Sequence, residues 1–324
     1  MELFDSLAQT VKGKNIKIVF PEAMDPRILK AASHLDYDNL IEPIFLGKPD
    51  EVKAQAKKHN INIRDIKIID PNTYEDYEAM VDAFVERRKG KATKEQAEKG
   101  LREPNYFGTM LVYMGKADGM VSGAVHPTGD TVRPALQIIK VKPGLTRTSG
   151  AFIMQKDGKR YLFADSAINI DPNAKELAEI AVTSGKTAKL FGIDPQVALL
   201  SFSTKGSAKS DQVTKVAEAT KIAHQMDPDM PLDGELQFDA AIVPEVAQSK
   251  APGSKVAGHA NVFVFPELQS GNIGYKIAQR LGGFEAIGPI LQGLNKPVSD
   301  LSRGCNSEDV YKLALITAAQ SLDD

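Results

Sequence analysis

The side chains able to do chemistry crowd into one stretch, Lys296-Pro-Val-Ser-Asp-Leu-Ser-Arg-Gly-Cys-Asn-Ser-Glu-Asp309. Its last eight residues hold a hydroxyl (Ser302), a guanidinium (Arg303), a turn glycine (Gly304), a thiol (Cys305) and a carboxylate (Asp309). Such a set could grip an anion through Ser302 and Arg303 while Asp309 handles a proton. Helix capping explains part of the same pattern. Residues 310–319 read as a helix, Asn306 or Ser307 suits its N-cap, and Glu308 and Asp309 fall in the first turn, where the dipole favours acids. Spacing alone leaves both explanations standing.

Three more junctions between a strand and a helix have a similar character. Gly123-Ala-Val-His-Pro-Thr-Gly-Asp-Thr-Val-Arg133 sets Arg133 on the opening turns of a helix and carries His126, a residue type that most often ends as a satisfied loop or core group. Ser203, Thr204, Lys205, Gly206 and Ser207 open a loop ending at Ser210, whose N–H groups, hydroxyls and ammoniums could cradle phosphate. Phe265 to Lys276, with Asn272 inside it, ends in a glycine-rich helix start. Any one junction needs Gly, Ser and Asn merely to turn and cap. Four together point to a phosphate-rich ligand. Arg87 and Arg88 close a helix where cations also suit the dipole.

Two false leads drop out. Ser184-Gly-Lys-Thr187 resembles the end of a P-loop, but Ile180 stands where that loop needs glycine. The segment after the first strand, Phe20-Pro-Glu-Ala-Met24, lacks the spaced glycines of a dinucleotide fingerprint.

The elements that must position these groups alternate. Short apolar strands at 15–20, 43–46, 66–69 and 119–123 are separated by helical patterns at 26–34, 50–59, 74–88, 94–101 and 106–114. This order predicts crossover units on a mainly parallel sheet. After Pro143-Gly144 the pattern changes to a hairpin, 150–154 and 161–163, about the turn at 156–159. Alternation then resumes, with helices at 173–191, 211–226, 239–248 and 271–281 and strands at 197–202, 261–265 and 284–290. The fold class expected is α/β: two three-layer domains with mainly parallel sheets, a boundary near 145 and a cleft between them. The last helix could belong to either domain.

The chain has 324 residues, enough for two ordinary domains, with 42% hydrophobic and 25% charged residues. A net charge of −2 offers no global field for nucleic acid or an anionic membrane. A single cysteine excludes an internal disulfide, and the five histidines stand at no metal-ligand spacing, so no metal site is expected. With no signal-peptide pattern and no apolar run long enough to span a membrane, a cytoplasmic protein is expected.

Taken in order, Asp118-Gly-Met-Val-Ser-Gly-Ala-Val-His126, Thr131-Val-Arg-Pro134, Ser201 to Ser210, Asp233-Gly-Glu-Leu-Gln-Phe-Asp-Ala240, Gly271-Asn-Ile-Gly-Tyr-Lys276 and Asp300-Leu-Ser-Arg-Gly304 resemble the phosphate acetyltransferase family. The likeness runs over essentially the whole chain. It implies reversible acetyl transfer between coenzyme A and phosphate, with coenzyme A or acetyl-CoA as substrate and no tightly bound cofactor. It also implies a homodimer, and a C-terminal helix that returns to the first domain, giving 1–145 plus 296–324 and 146–295. By position in the family motifs, Ser302, Arg303 and Asp309 would be catalytic. Arg133 and one of Arg87 and Arg88 would bind phosphate. Direct attack by the thiolate needs no protein nucleophile, so Cys305 would be a bystander.

One tension follows: a free thiol titrates near ~8.5 and a free aspartic acid near ~3.9, so an exposed aspartate is a poor base for sulfur. Loss of solvent around the acid, or arginines beside the thiolate, would have to close that gap. Three rivals stand beside this reading: a phosphate butyryltransferase, a non-catalytic acyl-CoA-sensing domain, and a metal-dependent decarboxylating dehydrogenase using Asp233, Glu235 and Asp239.

Overall fold

The computed structural model describes residues 3–322. Two compact units divide the chain, Met1–Lys142 with Leu294–Asp324, and Pro143–Gly293. The first begins with α1 (Leu3–Val11), β1 (Lys17–Phe20), α2 (Pro26–Tyr37), β2 (Glu42–Leu46), α3 (Pro49–Lys58), β3 (Lys67–Ile69), α4 (Tyr77–Arg88), α5 (Lys94–Gly100), α6 (Pro104–Tyr113), β4 (Gly119–Ser122) and α7 (Thr128–Pro134). The second holds β5 (Ser149–Lys156), β6 (Lys159–Ala164), α8 (Ala174–Leu190), β7 (Val197–Leu200), α9 (Asp211–Met226), β8 (Leu232–Leu236), α10 (Phe238–Ile242), α11 (Pro244–Lys250), β9 (Val262–Val264), α12 (Leu268–Arg280) and β10 (Glu285–Gln292). The chain then returns to the first unit with β11 (Val298–Asp300) and α13 (Ser307–Gln320).

In the first unit a five-stranded sheet runs β11-β4-β1-β2-β3, every pair parallel. Its strands are short and buried on both faces, as parallel strands covered by helices must be. Two glycines show the layering. A side chain on Gly108 of α6 would strike Met120 and Val19, and one on Gly119 would strike Thr317 of α13. Alternation along the strands therefore sends one set of residues to α6 and the other to α13.

The second unit has a six-stranded sheet, β10-β5-β6-β9-β7-β8, in which β10, β5 and β6 are antiparallel and the rest parallel. Period-two alternation builds two cores. Leu162, Val197, Leu199, Val262 and Val264 pack with α8 and α9, while Phe163, Ala198, Leu200, Phe263 and Phe265 face the opposite cluster with Leu236, Ala241 and Ala247.

The mixed α/β class with mainly parallel sheets is as expected; several local details differ. The helix expected over 239–248 is two short ones, because Pro244 cannot donate its N–H to the turn before it. α12 starts at Leu268, three residues early, since the Glu267 carboxylate accepts the N–H groups of Gln269 and Ser270. Arg133 lies in the last turn of α7, not its opening turns, and the chain runs on as a π-helical turn over Ala135–Ile139. α1, β8 and β11 were not anticipated. The segment 184–187 sits inside α8, where Ser184 Oγ accepts from Gln292 Nε2 at 2.8 Å.

Candidate functional site

In the first unit, β11, β4 and β1 are neighbours, so the loops leaving their carboxyl ends lie side by side. This edge is where open parallel sheets place ligands. Leu301 N–H donates to Ser122 O at 2.7 Å. Gly123 adopts φ +112°, and a Cβ there would stand 2.5 Å from Leu301 O and 2.6 Å from Leu301 N. Only glycine allows the two loops this approach.

Glu22, at the end of β1, stitches the 123–126 loop. Its Oε2 accepts from the N–H groups of Gly123 (3.0 Å) and Ala124 (2.8 Å). Its Oε1 accepts from those of Val125 (3.0 Å) and His126 (3.1 Å), with the His126 ring Nδ1 at 2.6 Å. Arg27 ties three segments. Asp25 caps α2, and its carboxylate receives Arg27 N, Nε and one terminal nitrogen at 2.7–3.0 Å. The guanidinium also donates to Ala124 O (2.9 Å), Arg303 O (2.9 Å) and Cys305 O (2.8 Å). Burial works against ionising Asp25, yet these charge-assisted bonds outweigh it and hold the carboxyl below its ordinary range. Asp25 raises Arg27 in turn.

Asn306 is the N-cap of α13, and Asp309 completes a capping box: Asp309 Oδ2 accepts Asn306 N–H at 2.9 Å. The capping explanation for this acid therefore holds, and Oδ1 lies outside the box. Ser302 Oγ accepts from Gly304 N–H at 3.2 Å, and Ser302, Arg303 and Asp309 are exposed. Cys305 is buried, which pushes its thiol up; Arg27 pulls against that and the Asp309 charge adds to it. A thiol so placed is a weak nucleophile.

Arg133 is exposed and reaches over Gly129. Among the described residues neither its guanidinium nor that of Arg303 or Arg88 has a hydrogen-bond or ion-pair partner. Arg87 differs from Arg88: its Nε and a terminal nitrogen donate to Ile138 O (2.6 Å) and Ile139 O (2.8 Å), and it lies over the Tyr113 ring. Beside this edge Asp300, only 2% exposed, has its Oδ1 buried without a hydrogen bond. Burial pushes its carboxyl up to about 6, nearby Thr128 and Thr131 hydroxyls pull the other way, and the Glu22 charge adds a little.

The second unit treats its polar loop differently. Glu235 Oε1 accepts Gly206 N–H (2.6 Å) and Ser203 Oγ–H (3.1 Å), Thr204 N–H donates to Ser207 Oγ (3.0 Å), and Ala208 N–H to Ser203 Oγ (3.1 Å). Lys205 pairs with Asp233 and donates to Gly234 O. Several of the donors expected to cradle phosphate at 203–207 are thus engaged within the unit, two of them by the Glu235 carboxylate. Asn272 donates from Nδ2 to Ser166 O (3.1 Å) and accepts Lys276 Nζ at 2.7 Å. The third acid of the suggested metal set, Asp239, pairs with Lys250 at 2.9 Å. A cavity of about 960 Å³ opens here between Leu200, Phe202, Phe238, Phe265 and Pro266, with Asp171, Asp211 and Glu267 at its polar side.

Comparison with known proteins decides the family. The model described as phosphate acetyl/butaryl transferase matches residues 2–318. The chain belongs to that family. A phosphate acetyltransferase of Bacillus subtilis (strain 168) is 63% identical over 321 residues, 99% of each chain. A phosphotransacetylase crystal structure from Streptococcus pyogenes superposes with TM-score 0.98 at 64% identity, over 99% of this chain and 98% of that one. A branched-chain phosphotransacylase from Enterococcus faecalis V583 has TM-score 0.66 at 19% identity over 94% and 98% of the two chains, a likeness of fold alone.

The residues that sequence reasoning missed are Glu22 and Arg27, while Glu235, considered there only as a metal-binding acid, instead accepts from Gly206 N–H and Ser203 Oγ–H. Asp25-Pro26 does carry a local signal, a capping acid followed by the proline of a first turn. Nothing local signals that the next arginine reaches across to residues 124, 303 and 305.

Proposed function

We propose that this chain transfers an acetyl group reversibly between coenzyme A and phosphate. The observation that carries this is the 63% identity, across 99% of both chains, with a phosphate acetyltransferase. The coenzyme is a substrate, and no tightly held cofactor is needed. In the acetyl-CoA-forming direction, Asp309 takes the thiol proton on its Oδ1 while Oδ2 stays in the capping box. The thiolate attacks the carbonyl carbon of acetyl phosphate. Arg133, Arg303 and Arg88 hold the phosphoryl oxygens, for which their uncommitted guanidiniums are suited. Ser302 donates to the oxygen on which charge develops. Cys305, buried and raised, takes no covalent part.

Arg87 leaves the phosphate-binding set in this reading because its donors serve Ile138 and Ile139. The 203–207 loop and Asn272 shape the second unit's binding surface without acting as an anion cradle. The protein acts in the cytoplasm as a homodimer. The exposed Ile273, Ile277 and Leu281 along α12 form an apolar stripe that a second copy would cover. Among the described residues no helix is long and apolar enough to cross a membrane.

The test is thioester formation from acetyl phosphate and coenzyme A by the purified chain with no metal added. Absence of thioester would overturn the reading, and faster turnover of butyryl phosphate would move it to the longer acyl chain. Asp309→Ala should lower kcat by about 10²–10⁴-fold, the usual worth of a positioned proton acceptor, with smaller changes in either KM.

A further inference from the structure

The transfer moves one proton from sulfur to phosphate. As the thiolate attacks dianionic acetyl phosphate, the C–O bond breaks and its electron pair leaves on a phosphate oxygen. Without a proton the departing group would be the trianion, a very poor leaving group. Asp309 accounts for the sulfur side alone. Resting on the acetyl-transfer reading above, we infer that His126, held by Glu22, carries the proton that the departing phosphate takes.

The geometry of Glu22 supports this. A carboxylate has about four good acceptor positions, and four backbone N–H groups of residues 123–126 already fill them at 2.8–3.1 Å. The His126 ring at 2.6 Å is a fifth partner, which Glu22 does not need for its own burial. What the contact changes is the ring. A buried carboxylate accepts the Nδ1–H hydrogen bond and fixes which ring nitrogen faces it, as the acid of a hydrolase triad orients its histidine. The Glu22 side chain is 1% exposed and that of His126 34%, so the Nδ1 edge is turned inward and the Nε2 edge outward. Among the described residues Nε2 has no partner. His126 is on the loop that Gly123 brings against Leu301, the residue that precedes Ser302 and Arg303 in the chain, and it lies two residues before the helix bearing Arg133.

In the forward direction the Nε2–H bond breaks and the proton joins the phosphate oxygen as C–O cleaves. The ring is then reprotonated from solvent, to which Asp309 gives up the thiol proton, so sulfur loses one proton and phosphate gains one. In reverse, Nε2 takes the proton from attacking phosphate. Glu22 is a positioning residue.

The experiment measures kcat and KM for acetyl phosphate and coenzyme A in the full chain, in His126→Gln and in His126→Ala with and without added imidazole. Circular dichroism and the thermal midpoint confirm folding. We expect kcat to fall about 10²–10⁴-fold in both variants with KM for acetyl phosphate within about threefold, the pattern of a lost proton donor. Imidazole should restore part of the turnover in His126→Ala, which a loop-packing role would not allow. Glu22→Gln should lower kcat less, leaving KM unchanged. Turnover within about threefold of the parent in His126→Gln would overturn the inference, as would a loss in His126→Ala that imidazole leaves untouched. If the parent chain forms no thioester, the acetyl-transfer reading fails instead.

Discussion

Asp300 should make the folded protein less stable as pH rises, and Asp300→Asn should remove that penalty. The carboxyl is 2% exposed and is pushed from 3.8 to about 6 by burial. A raised value means the folded chain holds the proton more tightly than the unfolded one. Stability from this group is therefore complete below the unfolded value and is lost as pH climbs through about 6. The full difference corresponds to about 3 kcal/mol by linkage at 1.36 kcal/mol per pH unit. Asparagine is nearly isosteric with the neutral acid and cannot ionise. Its advantage over the parent should grow from about 1.5 kcal/mol at pH 5 to about 3 kcal/mol at pH 8. In thermal melts this is roughly 6–12 °C at pH 8 for a unit of this size. Urea titrations of both proteins from pH 5 to pH 8 would read it directly. A difference that stays flat with pH, or an asparagine variant less stable at pH 8, would show that Asp300 is not held protonated by burial.

The two adjacent arginines should separate cleanly. Arg88→Ala should raise KM for acetyl phosphate at unchanged stability, whereas Arg87→Ala should lower the thermal midpoint by orphaning the Ile138 and Ile139 carbonyls, a cost of about 1–3 kcal/mol. Cys305→Ser should keep kcat within about threefold, since a buried, raised thiol is a poor nucleophile; complete loss in a folded variant would reopen a covalent route. Glu235→Ala should free Gly206 N–H and Ser203 Oγ, loosening the 203–207 loop, which faster amide exchange at Gly206 would report.

Much of the fold could be read because its strands are β-branched runs with nothing else to be, such as Ile16-Lys-Ile-Val-Phe20 and Val262-Phe-Val264. β8 escaped because Leu232-Asp-Gly-Glu-Leu236 carries two acids and a glycine, all poor strand formers. Those acids are in the strand for what they hold, Lys205 and the 203–207 loop. Local rules also explain why Asp309 was ambiguous: a capping acid and a proton-handling acid look alike in sequence, and here the same side chain does cap. Glu22 and Arg27 were beyond reach for another reason. Their partners lie about a hundred to nearly three hundred residues away, so only the closing of the sheet brings them together.

The first unit cannot complete its sheet until β11 and α13 have been made, because the whole of Pro143–Gly293 is threaded between β4 and its edge neighbour. At ~5–20 residues per second the ribosome needs roughly 8–30 s to synthesise those ~150 residues. Throughout that interval the nascent β1 and β4 lack the helix that covers Gly119, and α1 lacks the surface onto which it packs. Leu3, Leu7 and Val11, buried in the finished fold, wait for their covering helix while the later-encoded unit is free to fold ahead of the earlier one.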